Sequence, residues 1–261
     1  MIKETIPREA SGQFPRLILD YYSGREDMQV FYDYPPTLNG LKGRLEARTI
    51  QSCDRDLLSM AIEDQKGALE FSALQRKNLE ALRSGKGYTV CTGHQLCLFT
   101  GPMFMLHKIA STISLAEHLN KEVGEEATIV PIFWLATEDH DIAEVDHAHL
   151  FNKTLTFNPG YEGPAGRMPL KGIEQVLNEL AEILGDSEQA QSIMAKVRAS
   201  YSENHNLAQA TSHFVHTLFA ESGLLILDAD RRELKRPFMD MMRMELEESF
   251  VSTSMEPTLK M

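Results

Sequence analysis

YTVCTGHQLCLFTGPMFMLHKIASTISLAEHL (88–119), followed after a short charged connection by ATIVPIFWLATEDHDIAEVDHAHL (127–150), decides the fold. Residues 88–91 are a short β-prone run that breaks at Thr92-Gly93-His94-Gln95. Gly101-Pro102 then opens a segment with apolar residues at Met103, Leu106, Ala110, Ile113 and Ala116, the three-and-four spacing of a helix face. The run 128–136 is too short to cross a membrane. It is rich in β-branched and aromatic residues, as a strand is, and it ends in Glu138-Asp139-His140-Asp141. Strand, polar turn, helix, strand, polar turn is half of a doubly wound α/β sheet. Such sheets bind ligands at the carboxyl ends of their strands, where both polar clusters are expected.

Outward from this stretch, the bulk composition sets limits. The chain has 261 residues, 43% hydrophobic and 25% charged, which suits a soluble globular protein of one large or two small domains. A net charge of -12 argues against general nucleic-acid binding, which needs a basic footprint. Cys53, Cys91 and Cys97 form neither a CxxC pair nor a metal spacing, which fits a reducing compartment. The first ten residues contain no apolar signal core, and no run reaches transmembrane length. The expected location is cytoplasmic, with no membrane or nucleic-acid partner.

Residues 14–22 read as a short helix or a strand, and 50–83 as one or two amphipathic helices ending at Ser84-Gly85-Lys86-Gly87. That Gly-Lys precedes a strand and lacks the GxxxxGK[ST] pattern, so it is not a P-loop. Residues 151–157 alternate weakly, which suggests a strand, and a Gly/Pro-rich loop runs to Pro169. Helical patterns cover about 171–184, 187–199 and 206–222. Residues 223–227 read as a buried strand ending in Asp228-Ala229-Asp230, and 231–250 as a last helix, with no closing strand after it. The expected division is a mostly helical segment at 1–86, a first part of the α/β core at 87–151, an inserted segment at 152–205, and the rest of the core at 206–261. The count of core strands is low for a complete doubly wound sheet, so the chain is read as incomplete at its C-terminus.

Each cluster has a chemical and a structural reading. A Gly at a strand-to-helix turn lets backbone approach a ligand, and the following helix N-terminus suits a phosphate or carboxylate. His94 can neutralise charge developing there, with Lys108 two turns on as a helper. The structural alternative is a turn with a histidine capping the helix. Residues 138–141 can bind Mg²⁺ or hold a tuned general base. Asp146, His147 and His149 follow closely, without a known metal-ligand spacing; the alternative is a solvated acidic loop. Asp228 and Asp230 either complete the cleft or cap the helix after them. Cys91 and Cys97 are either activated thiols or small buried hydrophobes. His205, His213 and His216 read as helix-surface residues.

The chain resembles the cysteine ligase family of bacillithiol biosynthesis, BshC. Thr92-Gly93-His94-Gln95 with Leu98-Phe99-Thr100-Gly101-Pro102, then 133–141 (FWLATEDHD), then 223–230 (GLLILDAD) carry the likeness. The resemblance implies an α/β, Rossmann-like parallel sheet core of the class I aminoacyl-tRNA synthetase and nucleotidyltransferase type, with helical insertions and a dimerising coiled-coil arm. It implies members about twice this length, with either a homodimer of the full-length protein or a second chain that supplies the missing half. Gly93-His94 falls where that superfamily's HxGH motif contacts nucleotide phosphates, although the motif's first His has no counterpart here. The implied activity adds cysteine to glucosaminyl-malate, with ATP and Mg²⁺ as candidate cofactors and no firmly bound metal. His94, Asp139, His140 and Asp141 are the catalytic candidates. Thr92, Gly93, Gln95, Gly101, Lys108, Trp134, Glu138, Asp228 and Asp230 are the substrate- or nucleotide-binding candidates. Two other readings are a metal-dependent hydrolase built on 138–149 and a non-catalytic half-domain that binds a nucleotide or a partner chain.

Overall fold

The computed structural model describes residues 4–47 and 53–259. Expectations touching residues 1–3, 50–52, 260 and 261 lie outside the described residues. The chain divides into two compact units, Met1–Cys53 and Asp54–Met261. The first holds helices α1 (Arg8–Ser11), α2 (Arg16–Ser23) and α3 (Leu38–Ala47). The segment read as helix or strand is therefore a helix. Tyr21 packs edge-on against Tyr32 at 5.1 Å, and Asp20 pairs with Arg16 and Arg25.

The second unit begins with α4 (Arg55–Gln65) and α5 (Ala73–Arg83). Asp54 caps α4, and a Ser72–Gln75 capping box starts α5, each satisfying a backbone N–H that the first turn would leave unpaired. Then come β1 (Gly87–His94), α6 (Met103–Val123), β2 (Thr128–Leu135), α7 (Ile142–Val145) and the strands β3 (His147–Leu150) and β4 (Lys153–Thr156). Helices α8 (Glu174–Leu184), α9 (Glu188–Ser200) and α10 (Leu207–Phe219) lead to β5 (Leu225–Asp228). The chain closes with α11 (Arg232–Lys235), α12 (Met239–Glu248) and α13 (Phe250–Leu259).

Strands β1, β2 and β5 form a parallel sheet in the order β1-β2-β5. Parallel neighbours need a crossover, which α6 provides between β1 and β2. Strand β2 is the middle strand and is buried at six of its eight residues. Its side chains alternate between two cores. Val130 and Ile132 pack with Leu79, Leu82, Leu225 and Leu227 beneath α4 and α5. Phe133 and Leu135 pack with Ile109, Ile113 and the helices α8 to α10. Burying Phe133 or Leu135 completely is worth about 1.5–3 kcal/mol each. Helix side chains bind the backbone of β5 and its approach: Gln75 donates to Leu224 O at 2.7 Å, Asn78 to Gly223 O at 2.8 Å, and Gln65 brackets Asp228 at 2.9 Å in both directions.

Two expectations are corrected and two segments without an assignment gain one. The strand does not stop at Cys91: Thr92, Gly93 and His94 pair with Phe133, Trp134 and Leu135. Residues 147–150 pair antiparallel with β4. The expected single helix over 231–250 is broken, by a tight turn at Arg236–Phe238 that contains a proline and by Ser249, whose φ is 49°. The segment after Ser252 is helical through Leu259.

Candidate functional site

The sheet register aligns three strand ends in one row. His94 pairs with Leu135, and Leu135 with Asp228. Because the strands are parallel, this row is the carboxyl edge, where α/β sheets bind ligands. Two cavities open along it.

The first cavity, of about 430 Å³, lies at the end of β1 and is lined by His94, Gln95, Cys97, Gly101, Glu144 and His147 among others. The His94 Nδ1–H donates to the Gln95 carbonyl at 3.0 Å, because a carbonyl only accepts. That fixes the tautomer and leaves Nε2 for a ligand. The Gln95 side-chain amide donates to Asp139 Oδ2 at 3.0 Å and to Glu144. The two clusters at the ends of β1 and β2 are thus in contact. Asp139 Oδ1 also accepts the Asp141 N–H at 3.1 Å. The Gln95 bond first, then this N–H, hold the Asp139 carboxyl below its usual range. Lys108 donates to the Gly93 carbonyl, so its ammonium is tied to the end of β1. Gly93 lies against Trp134, whose Cβ would be 3.6 Å from any Cβ placed there. Burial pushes the Cys97 and Cys91 thiols up, which disfavours the thiolate a nucleophile requires.

The loop between β1 and α6 carries the backbone strain. Phe99, Thr100 and Gly101 have φ of 54°, 67° and 47° in succession. A Cβ on Gly101 would sit 2.3 Å from Cys97 Cβ. Two non-glycine residues in the left-handed region persist only where their surroundings enforce it. Here Phe99 packs edge-on against the fully buried Tyr201 at 4.9 Å. Burial drives the Tyr201 hydroxyl up to about 12.

The second cavity, of about 410 Å³, lies at the ends of β2 and β5. Its lining includes Thr137, Arg167, Gln209, Ser212, Asp228 and Asp230. The Thr137 hydroxyl donates to Asp228 Oδ1, which also accepts the Asp230 N–H at 3.0 Å. Burial raises the Asp230 carboxyl, but Lys235 and Arg167 outweigh it and the net displacement is downward. The Gly/Pro-rich loop docks onto the end of β2. Ala165 N–H donates to Asp139 O at 2.6 Å, and Gly166 N–H to Thr137 O at 3.0 Å. A Cβ on Gly166 would lie 2.5 Å from Thr137 Cβ, so only glycine fits this approach.

Of the residues singled out in the sequence, His94, Gln95 and Gly101 line the first cavity and Asp228 and Asp230 the second. Asp139 joins the first through Gln95. Glu138, His140 and Asp141 are exposed and line neither; Thr92, Gly93 and Trp134 belong to the ends of β1 and β2, and Lys108 to α6. Sequence reasoning missed Gln65, Thr137, Arg167, Asn206, Gln209 and Ser212. Thr137 stands beside Glu138 at a strand end and was open to the same argument; the others reach the site only through tertiary folding. Among the described residues, no group of three His, Cys, Asp or Glu side chains is placed to hold a metal ion. No helix among them is long and apolar enough to cross a membrane.

These features define an α/β protein of the Rossmann-like class, with its reactive side chains at the carboxyl edge of a parallel sheet. The family model for bacillithiol biosynthesis BshC, N-terminal Rossmann-like domain, matches residues 1–260, and the chain belongs to that family. It is 36% identical over 249 residues to a Flavobacterium psychrophilum protein named "Putative cysteine ligase BshC", with 94% of this chain and 47% of the relative covered. Proteins of the same name from Cytophaga hutchinsonii and Bacillus mycoides are 35% and 27% identical, over 93% and 89% of this chain and 44% and 45% of theirs. The chain spans about half the length of the curated relatives it matches.

Proposed function

We propose that this chain forms the Rossmann-like part of a ligase that joins the carboxyl group of cysteine to the amine of glucosaminyl-malate. The observation that carries the reading is the contact of the 92–95 and 138–141 clusters through Gln95 and Asp139 at one sheet edge, in a chain of the BshC family. Amide formation needs the carboxylate activated, and ATP with Mg²⁺ would supply that activation. The donor set fits a phosphate: Pro102 begins the long helix α6 without a side-chain cap, leaving first-turn N–H groups available beside His94. Nδ1 holds the neutral ring's one proton, so His94 would donate from Nε2 only as the imidazolium, and in that form it would face oxygen on which negative charge develops. Gln95, held by Asp139 and Glu144, would orient the acyl group. The Gln95 amide and the Asp141 N–H favour the ionised form of Asp139, which suits an orienting role better than that of a base. His140 and Asp141, exposed beside it, are the candidates for taking the proton of the attacking ammonium.

The hydrolase alternative lacks an assembled ligand set among the described residues. Homodimer formation, or completion by a second chain, and a cytoplasmic location belong to the same proposal and rest on the family likeness.

The test is mass spectrometry of cysteine, glucosaminyl-malate and Mg²⁺ with and without ATP, using this chain and one of the relatives' full length. A condensed product in the longer form, requiring ATP, is expected. No product from either would end the reading. Turnover unchanged in both His94→Ala and Asp141→Ala would remove the roles given to those residues.

A further inference from the structure

The cavity between the ends of β2 and β5 has an unbalanced charge. Five of its lining residues are charged. Asp230 is paired with Arg167 at 2.7 Å, and Arg231 lies 3.5 Å from Asp64. Asp228 has no cationic partner among the described residues, and its Oδ2 accepts no hydrogen bond there. The side chain is nonetheless held firmly. Gln65 brackets its backbone, while Thr137 and the Asp230 N–H fix Oδ1. Two donors on one oxygen and none on the other leave a preorganised acceptor facing open space. An unpaired carboxylate at a cavity wall favours a cationic guest.

The surroundings decide which cation. A divalent metal needs several oxygen ligands at short range, and the neighbouring carboxylates here are engaged by guanidinium and ammonium groups. A primary ammonium needs few acceptors and can donate to Asp228 Oδ2 directly. The uncharged wall suits hydroxyl groups. Ser212 makes no side-chain hydrogen bond among the described residues, and the side-chain amides of Asn206 and Gln209 use only their oxygens, in the cap of α10. About 410 Å³ is ample for a monosaccharide.

We infer that this cavity binds a hydroxylated primary amine, an amino sugar in its ammonium form, and that Asp228 is the residue that recognises its charge. The inference rests on the ligase reading in one respect: it places the acyl acceptor at the ends of β2 and β5, beside the His94 cavity on the same strand-end row, so that its amine can reach the activated acyl carbon. Asp228 then acts as a binding and orienting residue, with Thr137 setting its direction.

The experiment is isothermal titration of this chain with D-glucosamine and with N-acetyl-D-glucosamine, which keeps most of the hydroxyls and loses the charge. D-glucosamine is expected to bind and the acetylated sugar to bind about tenfold more weakly or less, the worth of one charge-assisted hydrogen bond. Asp228→Asn should weaken D-glucosamine by a similar factor, and His94→Ala should leave it unchanged. Should Asp228→Asn fail to fold, Ser212→Phe, which fills the cavity from the partly exposed face of α10, should abolish binding. Equal binding of both sugars, retention of binding in the folded variants, or loss in His94→Ala would overturn the inference. So would stoichiometric displacement of the sugar by Mg²⁺ alone. The titration needs no turnover. A condensed product without Asp228-dependent binding would overturn only this inference, whereas such binding without product would overturn only the ligase reading.

Discussion

Thr137 is 1% exposed, and its hydroxyl bonds to Asp228 across 91 residues of sequence. Thr137→Val keeps the shape and removes the donor. A hydrogen bond to a charged group is worth about 1.5–3 kcal/mol, so urea denaturation should show a loss of that order, and D-glucosamine should bind less tightly. Unchanged stability and binding would mean that the Asp228 carboxylate is held by backbone alone. Gln95 offers a second test at the same scale. Its amide is the first cause of the lowered Asp139 carboxyl. A carboxyl depressed in the folded state contributes stability above its unfolded value and loses it as pH falls through the folded one. In Gln95→Ala, Asp139 should titrate nearer the ordinary carboxylate range, as carboxyl-carbon NMR would show. The reactive pairs themselves were visible in the sequence as His94-Gln95 and Glu138-Asp139-His140-Asp141, because polar residues in succession after an apolar strand serve packing poorly. Their partners were not: Gln65 and Asp228 are 163 residues apart, and side chains that distant meet only in the folded chain.

At the scale of elements, the decisive piece is the connection from β1 to α6. Apolar spacing located α6 but not its buried face: of the expected stripe Met103 and Ala110 are exposed, and the core is met by Met105 and Ile109 together with Ile113 and Ala116. It did not reveal the strained loop ahead of it. Phe99 and Thr100 are not residues that advertise a left-handed backbone; the packing of Phe99 on Tyr201 and the Thr100 N–H bond to Cys97 O help hold them there. Gly101 did signal a turn. Gly101→Ala introduces both a disfavoured φ and a Cβ 2.3 Å from that of Cys97. Overpacking alone costs about 1–3 kcal/mol, so the variant should melt earlier and unfold at lower urea. A variant as stable as the parent would mean that the loop can take another path. In the β3–β4 hairpin the weak alternation of 151–157 pointed to β4, while β3 escaped detection for a different reason. His147-Ala148-His149-Leu150 alternates but is short and half polar, and its histidines looked like ligands rather than one exposed edge of a strand.

On the scale of the molecule, the α/β class was legible because the strongest periodic signals, β2 and α6, are also the centre of the sheet and its crossover. Charge could be read in total but not in placement. Nine histidines and a net charge of -12 give no hint that His213 and His216 on α10 are half-buried against the rest of the second unit. Burial lowers both, His213 further through His205 and His216, and His216 through Lys66. A histidine whose folded value lies below its unfolded one binds fewer protons folded than unfolded in the interval between them. Stability therefore rises with pH across that interval and is lost as pH falls below about 6.5. Thermal melts should show the midpoint dropping between pH 7.5 and 5.5, before the depressed carboxyls of Asp139 and Asp230 begin to protonate. Replacing both histidines by glutamine, which cannot charge, should flatten that part of the profile and leave the steeper acid limb in place. If the double variant keeps the full slope, the protons are taken up elsewhere and the burial of His213 and His216 is not its cause.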